Sequence, residues 1–312
     1  MMRRLTGGPS CDSSETKEMS RSGWDDRYDY LVHTRSIFFN DDYLSFYFTR
    51  VVKLKGPTRI IDFGCGHGYL GMQMARIMEE GIQYSGIDLS DELLSKAREI
   101  FADKGDTFAF TKADAGRYKA PVKSDLAICQ ALLMHCADPK AVLLNMKDNV
   151  RDGGYVVCIE PDWNASMAAT HLSGLKSTDF TDLGILQKLF ENDHGRSGKD
   201  GNIGIKVPLY MEEIGLKEIE CRKNDKVTFV SPKMTSGTKS SVLKAFRENG
   251  FGRTIADEQS FMDDLQQRGL SRQEAARELV VEKTLNSYFN ERENDLYFFF
   301  SPNMFISSGR VL

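Results

Sequence analysis

The stretch IIDFGCGHGYLG, residues 60–71, decides the fold, because a glycine-rich turn follows directly on a short apolar run. Two glycine patterns overlap in it. Counted from Gly66 the letters give G-x-G-x-x-G, and counted from Asp62 they give D-x-G-x-G-x-G. Both patterns predict a strand that turns into a helix around a nucleotide-like ligand, but they predict different cofactors. The rest of the chain has to decide between them.

Short apolar runs and helical patterns alternate along the chain around this stretch. The apolar runs predict five strands, RIIDF (59–63), YSGIDL (84–89), FAFTKADA (108–115), DLAICQA (125–131) and GYVVCIEPD (154–162). The segments between them have helical spacing, and Ser90 and Asp138 are typical N-cap residues for two of the helices. Such alternation predicts an α/β fold with a parallel sheet covered on both faces, and ligands of such sheets bind at the carboxyl ends of the strands.

The segments outside this core predict further elements. The run at 216–230 is a long strand pattern, 296–308 is the last strand pattern, and Ser271 with Glu274 forms a capping box for a helix. The glycine-rich run at 194–204 is expected to be a mobile lid or a linker. The predicted organisation is a flexible tail (1–22), an N-terminal helical cap (23–54), a Rossmann-like core (55–165), a lid segment with a sixth strand (166–233), a helical insertion (234–292) and a last strand (293–312).

Composition excludes several classes of function. The 312 residues carry a formal charge of −4, which argues against a protein that coats nucleic acid. No run reaches the roughly 18 apolar residues of a membrane helix, and the first residues lack a secretory signal, so no membrane partner is expected. The six cysteines are scattered without C-x-x-C pairs, which predicts reduced thiols, no metal site and a cytoplasmic location.

The acid that closes the first strand favours one of the two cofactors. A carboxylate at Asp62 would repel the pyrophosphate of a dinucleotide, but it would attract the cationic amino group of S-adenosylmethionine (SAM). Gly64, Gly66 and Gly68 would let the backbone approach such a ligand without interference from a Cβ atom. The charge of the loop therefore favours SAM over NAD.

Two further acids end the next two strands. Asp88, at the end of the second strand, can accept hydrogen bonds from both ribose hydroxyls, which suits either cofactor. Asp114 closes the third strand and can accept a hydrogen bond from an adenine amino group. Three acids at the ends of three successive strands are a stronger signal for SAM than one glycine-rich loop, although each could also be an ordinary turn residue.

At this point the chain resembles the class I SAM-dependent methyltransferases, and within them the ubiquinone/menaquinone methyltransferase-like enzymes that act on small molecules. The resemblance covers about residues 55–165 and is carried by IIDFGCGHG, GIDLS, KADA, AICQALLMHCADP and GGYVVCIEP. It implies a Rossmann-like, seven-stranded, mostly parallel sheet whose last strand is antiparallel. It also implies SAM as the methyl donor and S-adenosylhomocysteine as the product.

The resemblance implies cofactor contacts for specific residues. The adenosyl group would contact Asp88, Leu89, Asp114 and Ala115. The methionine part would contact Asp62, Gly64, Cys65, Gly66, Gly68, Gln130 and Ala131. A less specific likeness of the N-terminal segment makes Arg35 a candidate partner for the methionine carboxylate, against the alternative of a solvated arginine on a helix face.

Candidate catalytic groups are few, and methyl transfer from a sulfonium needs alignment more than it needs a base. His135 follows the fourth strand and Glu160 closes the fifth, so both are candidates for contact with the substrate, although each could instead have a structural role. His67 lies inside the glycine loop and is expected to point outward.

The functional hypothesis is methyl transfer to a small or medium organic molecule. No basic stripe and no Asn/Asp-Pro-Pro-aromatic signature follows the fourth strand, so nucleic acid is not expected as the substrate. A protein methyltransferase and a non-catalytic SAM-binding protein remain alternatives, and a nicotinamide-dependent oxidoreductase is a weaker one. The sequence does not indicate the oligomeric state.

Overall fold

A computed structural model describes residues 24–54, 57–78, 81–292 and 295–312. The tail predicted for residues 1–22, with Cys11, lies outside the described residues. The strands are β1 Thr58–Phe63, β2 Ile82–Asp88, β3 Phe108–Lys112, β4 Ser124–Gln130, β5 Val150–Pro161, β6 Thr170–Leu172, β7 Lys217–Lys223, β8 Thr228–Val230, β9 Phe298–Phe300 and β10 Met304–Arg310.

The main sheet has seven strands in the order β3-β2-β1-β4-β5-β10-β7. The first five pair in parallel, whereas β10 lies antiparallel to β5 on one side and to β7 on the other. Strands β1 and β4 and the second half of β5 are almost entirely buried, because helices cover both faces of the sheet and the sequence is largely apolar on both faces of these strands. The predicted fold class, with its antiparallel last strand, is confirmed.

Helices connect and surround the strands. They are α1 Tyr28–Phe38, α2 Asp41–Phe46, α3 Tyr69–Ile77, α4 Asp91–Ile100, α5 Pro139–Asp148, α6 Trp163–Ala168, α7 Ser177–Phe180, α8 Leu183–Ser197, α9 Val207–Glu213, α10 Ser236–Glu248, α11 Glu258–Gln267 and α12 Arg272–Glu291. The side chains of Ser90 and Asp138 accept hydrogen bonds from the first turns of α4 and α5, as their N-cap positions predict. Helices α1 and α2 lead into β1, and α10 to α12 precede β9.

Both long strand patterns at the end of the chain are broken in the structure, which corrects the prediction of single strands at 216–230 and 296–308. Between β7 and β8 the buried side chain of Asn224 accepts a hydrogen bond from the backbone of Lys226, which forms a turn. Pro302 lies in the corresponding break between β9 and β10. Strands β8 and β9, the parts of the two patterns that lie outside the main sheet, pair with each other. Together with β6 they form a second, three-stranded antiparallel sheet.

The glycine-rich run at 194–204 is a packed segment and not the predicted lid or linker. Its first four residues complete α8, and Asp193 in that helix forms a buried ion pair with Arg268 (2.8 Å). Gly198 ends the helix with a positive φ of 74°, and a Cβ atom there would lie 2.1 Å from the carbonyl oxygen of Ala137. Helix packing therefore fixes this segment against the loop that follows β4.

The helical insertion supports the N-terminal helices. Helices α10 to α12 occupy the region predicted to be helical, and α12 begins with the predicted capping box. Helix α1 packs along α10, where His33 Nδ1 lies 2.9 Å from a Glu248 carboxylate oxygen and Tyr30 hydrogen-bonds to Asn249. Among the described residues, no helix is long and apolar enough to span a bilayer.

Candidate active site

The glycine-rich turn between β1 and α3 forms part of one side of the site. Gly64 has a positive φ of 71°, and a Cβ atom there would lie 2.8 Å from Leu132 Cδ1 in the loop after β4. Gly68 precedes α3 with a φ of 86°, and a Cβ atom there would lie 2.7 Å from the ring of Phe101. The turn thus needs glycine both for its backbone conformation and for its close packing.

Asp88 connects the end of β2 to this turn. Its two carboxylate oxygens accept hydrogen bonds from the backbone N–H groups of Gly66 and Ser90, each at 2.9 Å. Burial raises the pKa of Asp88, whereas these backbone hydrogen bonds oppose that rise. Each oxygen retains a second lone pair, so the carboxylate can also accept hydrogen bonds from a ligand.

A cavity of about 290 Å³ opens above the turn at the carboxyl ends of the strands. It brings together most of the residues predicted from the sequence. Those that line it are Arg35, Gly64, Gly66, Asp88, Leu89, Asp114, Ala115, Gln130, Ala131 and His135. We call Asp88 and Asp114 with the glycine turn the acidic wall. Leu89, at 56% exposure, lies at its rim.

Four predicted site residues lie behind the cavity surface. They are Asp62, Cys65, Gly68 and Glu160. Asp62 is buried and accepts a hydrogen bond from the hydroxyl of Tyr84, while its second oxygen has no protein partner. Burial raises the pKa of Asp62 to about 7, and the nearby charge of Arg35 opposes that rise. Burial also raises the pKa of the Cys65 thiol, which packs beneath the turn as a small hydrophobe.

Arg35 reaches the cavity from α1. Its guanidinium carbon lies 5.1 Å from the ring centroid of Tyr69 and 5.7 Å from that of Phe39. Its Nε atom is buried without a hydrogen-bond partner, and burial lowers its pKa. A guanidinium remains charged in proteins, so Arg35 places a positive charge with an unused donor beside the cavity. The alternative of a solvated arginine does not agree with this position.

Glu160 supports the loop after β4 and does not face the cavity. It is fully buried, and its carboxylate accepts hydrogen bonds from the backbone N–H groups of Leu132 (3.0 Å), Leu133 (2.9 Å) and Met134 (3.4 Å). Burial raises its pKa to about 7, while these hydrogen bonds oppose that rise. The predicted contact with substrate is therefore replaced by a positioning role, because the carboxylate has no exposed surface to offer.

His135 lines the cavity and forms an edge contact with Trp24, with ring centroids 5.0 Å apart. Burial, with the charge of Lys199, lowers the pKa of His135 to about 4, so the imidazole is neutral at neutral pH. His67, which was expected to point outward, is buried and meets the ring of Tyr28 edge-on at 5.4 Å. Burial lowers the pKa of His67 to about 4 as well.

Sequence reasoning named His135 but missed Trp24, Phe38 and Trp163, which also line the cavity. We call Trp24, Phe38, His135 and Trp163 the aromatic wall. Phe38 and Trp163 lie 5.3 Å apart and come from α1 and α6, while Met304 of β10 lies beside them on the cavity surface. The aromatic composition of the N-terminal cap was a signal for Phe38. Trp163 lies two residues after the end of β5, but no local pattern marks it as a site residue.

One backbone position next to the cavity is also strained. Ala131, directly after β4, has a positive φ of 52°, which is uncommon for a residue with a Cβ atom. Its N–H group donates to the carbonyl of Ile159 (2.8 Å), so the chain is held in this conformation. The strained turn directs the backbone after Gln130 across the cavity.

Residues 54–194 match a protein family described as a methyltransferase domain. This part of the chain is similar to methyltransferase domains. A ubiquinone biosynthesis O-methyltransferase of Shewanella pealeana is 35% identical over 100 residues, which are 31% of this chain and 41% of that protein. An uncharacterized methyltransferase of Schizosaccharomyces pombe is 33% identical over 118 residues, 35% of this chain and 42% of that protein. The chain thus spans about two fifths of the curated relatives that it matches.

Solved structures support the fold of the methyltransferase domain and its surroundings. Phosphoethanolamine N-methyltransferase 2 of Haemonchus contortus, in complex with SAM, superposes with a TM-score of 0.51 at 18% sequence identity. The match covers 96% of this chain and 62% of that chain. At this identity the likeness concerns the fold, and the predicted class I methyltransferase architecture is confirmed.

Proposed function

We propose that the chain is a SAM-dependent methyltransferase that transfers a methyl group to a small or medium organic molecule. One observation carries the proposal, namely that a single cavity joins the acidic wall to the aromatic wall. The acidic wall has the acceptors that a nucleoside requires, and the aromatic wall can enclose an organic acceptor. A concave cavity of about 290 Å³ supports a small acceptor better than it supports a protein segment.

The residues of the cavity fit the parts of the cofactor. Asp88 would accept hydrogen bonds from the ribose hydroxyls and Asp114 from the adenine amino group. Arg35 would bind the methionine carboxylate, because its buried Nε has no protein partner. Gln130, whose buried Nε2 is also without a partner, would donate to the methionine part of the cofactor. Asp62 would act from behind the turn, through the carboxylate oxygen that has no protein partner.

The bound cofactor would supply a methyl group on a positively charged sulfur, a leaving group that needs no further activation. The protein would hold the acceptor in line with that methyl group and exclude water. His135 could orient an acceptor hydroxyl as a hydrogen-bond acceptor. With a pKa of about 4 it is a weak base, so we assign it an orienting role rather than full proton removal.

We also propose a cytoplasmic location and no nucleic-acid partner. The net charge of −4 supports the second statement. Cys65, Cys129, Cys136, Cys158 and Cys221 are free thiols among the described residues, which supports a reducing compartment.

Calorimetry of the purified protein with S-adenosylhomocysteine, with NAD as the parallel ligand, tests the cofactor. We expect saturable micromolar binding of the first and none of the second. Binding of NAD alone would overturn the proposal. A substrate panel with SAM then tests catalysis, because a non-catalytic SAM-binding protein would bind the cofactor without forming methylated product.

A further inference from the structure

The topology separates the two walls of the cavity. Asp88 ends β2 and Asp114 follows β3, whereas Trp163 follows β5 on the other side of β1 and β4. Met304 begins β10 and pairs with Pro161 at the end of β5, so it lies beside Trp163. A nucleoside bound at the acidic wall would leave the surface around β5 and β10 for the acceptor molecule.

Trp163 has an unused hydrogen-bond donor in this second region. Its side chain lines the cavity although only 6% of the residue is exposed, and its indole Nε1 is buried with no partner. An indole N–H can only donate, and a buried polar group without a partner is costly. Phe38 packs against the ring at 5.3 Å, which fixes its position. An oxygen atom of a ligand could accept this hydrogen bond.

The cavity surface around Trp163 carries no charge that could balance a charged acceptor. Among the described residues that line the cavity, the charged ones are Arg35, Asp88 and Asp114, which we assign to the cofactor. His135 is neutral at neutral pH, and Phe38 and Met304 are apolar. An ammonium or carboxylate group placed there would lose its hydration without gaining a counterion.

We propose that Trp163 is the specificity-determining residue, and that its indole N–H donates a hydrogen bond to an oxygen atom of an uncharged aromatic acceptor. The proposal rests on the proposed function, since it requires the cofactor to occupy the acidic wall. Aromatic side chains on this surface favour a flat ring, and the single donor favours one oxygen acceptor near that ring.

Two ligands of the same shape test the hydrogen bond. Acetophenone carries a carbonyl oxygen where α-methylstyrene carries a CH₂ group. The chain contains two tryptophans, so the ¹⁵N-labelled protein saturated with S-adenosylhomocysteine should give two indole N–H signals, and Trp163→Phe assigns them. We expect acetophenone, and not α-methylstyrene, to shift the Trp163 signal downfield. In Trp163→Phe the affinity for acetophenone should fall about fivefold, as for the loss of one neutral hydrogen bond, while that for α-methylstyrene stays within about twofold.

Trp24→Phe is the matched variant, because Trp24 lines the same cavity. It should change the affinities for the two ligands by the same factor. The proposal is overturned if the Trp163 signal does not move, if Trp163→Phe weakens the binding of both ligands equally, or if neither ligand binds. If Trp163→Phe does not fold, Trp24→Phe assigns the two indole signals, and the comparison of the two ligands on the wild-type protein decides.

Benzylammonium and benzoate test the charge requirement. Each should bind at least about tenfold more weakly than acetophenone, and tight binding of either would overturn the uncharged character of the acceptor.

Failure of the proposed function can be distinguished from failure of this inference by the binding of the cofactor product. In the first case S-adenosylhomocysteine itself does not bind, whereas failure of this inference alone leaves its binding intact.

Discussion

The acidic wall and the aromatic wall face the same cavity but are encoded in different ways. Every part of the acidic wall lies at or just after the carboxyl end of a strand of the parallel core, within residues 62–116. The aromatic wall comes from segments before β1 and after β4 and β5, and Met304 of β10 lies beside it. Short local motifs therefore specify one wall, whereas the other exists only after distant segments have packed together.

This difference suggests a division of roles. A wall fixed by backbone geometry, such as the glycine turn with Asp88, suits a ligand that never changes. A wall built from side chains on α1 and α6 can vary without disturbing the sheet. Mutations in the two walls should therefore have separable effects, and the following experiments test that separation.

Replacing Asp88 should have the largest effect. Asp88→Ala removes the acceptors for the ribose hydroxyls and for the N–H groups of Gly66 and Ser90, so we expect S-adenosylhomocysteine to bind at least about 100-fold more weakly. Calorimetry measures this. Asp91→Ala, an exposed acid three residues away that pairs with Lys112, is the matched control and should change the affinity less than about threefold. Equal losses of affinity in the two variants would contradict the assignment of Asp88 to the ribose hydroxyls.

A change in the aromatic wall should affect turnover but not cofactor affinity. Phe38→Leu keeps an apolar side chain but removes the ring beside Trp163, so we expect kcat/KM for an identified acceptor to fall roughly tenfold. Affinity for S-adenosylhomocysteine should stay within about threefold. A parallel loss of cofactor affinity would mean that the two walls do not act separately.

Variants of Glu160 distinguish a role in stabilising the loop after β4 from a role in catalysis. Glu160→Ala leaves three backbone N–H groups without their acceptor and should lower the free energy of unfolding by about 3 kcal/mol, measured by urea denaturation. Glu160→Gln retains one acceptor oxygen, so most of the stability and activity within about fivefold should remain. A loss of activity of roughly 100-fold in a stable Glu160→Gln variant would instead indicate a catalytic carboxylate.

A pH-dependent effect is expected from the protonation of His135. Its folded pKa of about 4 lies below its ordinary value of 6.5, so between these pH values the unfolded chain binds a proton that the folded chain does not. The stability that wild type has relative to His135→Gln should therefore decrease as pH falls from 6.5 to 4, by about 1.4 kcal/mol per pH unit. Unfolding free energies at pH 4.5, 5.5 and 6.5 measure this, and parallel curves for the two proteins would contradict it.

Sequence patterns predicted the acidic wall well, because each of its residues lies at or just after the carboxyl end of a strand pattern. Asp88 and Asp114 were identified from the end of a strand pattern alone, and both line the cavity. Asp62 and Glu160 fit the same pattern, but they lie behind the surface. The direction of a side chain at a strand end depends on the loops packed over it, which the pattern does not contain.

Tertiary packing also explains the other differences. The run at 216–230 has one continuous strand pattern, yet Asn224 turns the chain so that β8 leaves the main sheet and pairs with β9. Trp163 has no local pattern that marks it as a site residue. Its unpartnered indole N–H is visible only once the cavity and its neighbours are in place.

The position of β10 has a consequence for the order of assembly. This strand lies between β5 and β7, so β7 has no hydrogen bonds to the rest of the main sheet until residues 304–310 have been inserted. Contacts between segments so distant in sequence slow folding, because a long loop must close before the pairing stabilises it. During synthesis the parallel core and its acidic wall could form first. The surface beside Trp163 would be completed late in folding, when Met304 of β10 pairs with Pro161 at the end of β5.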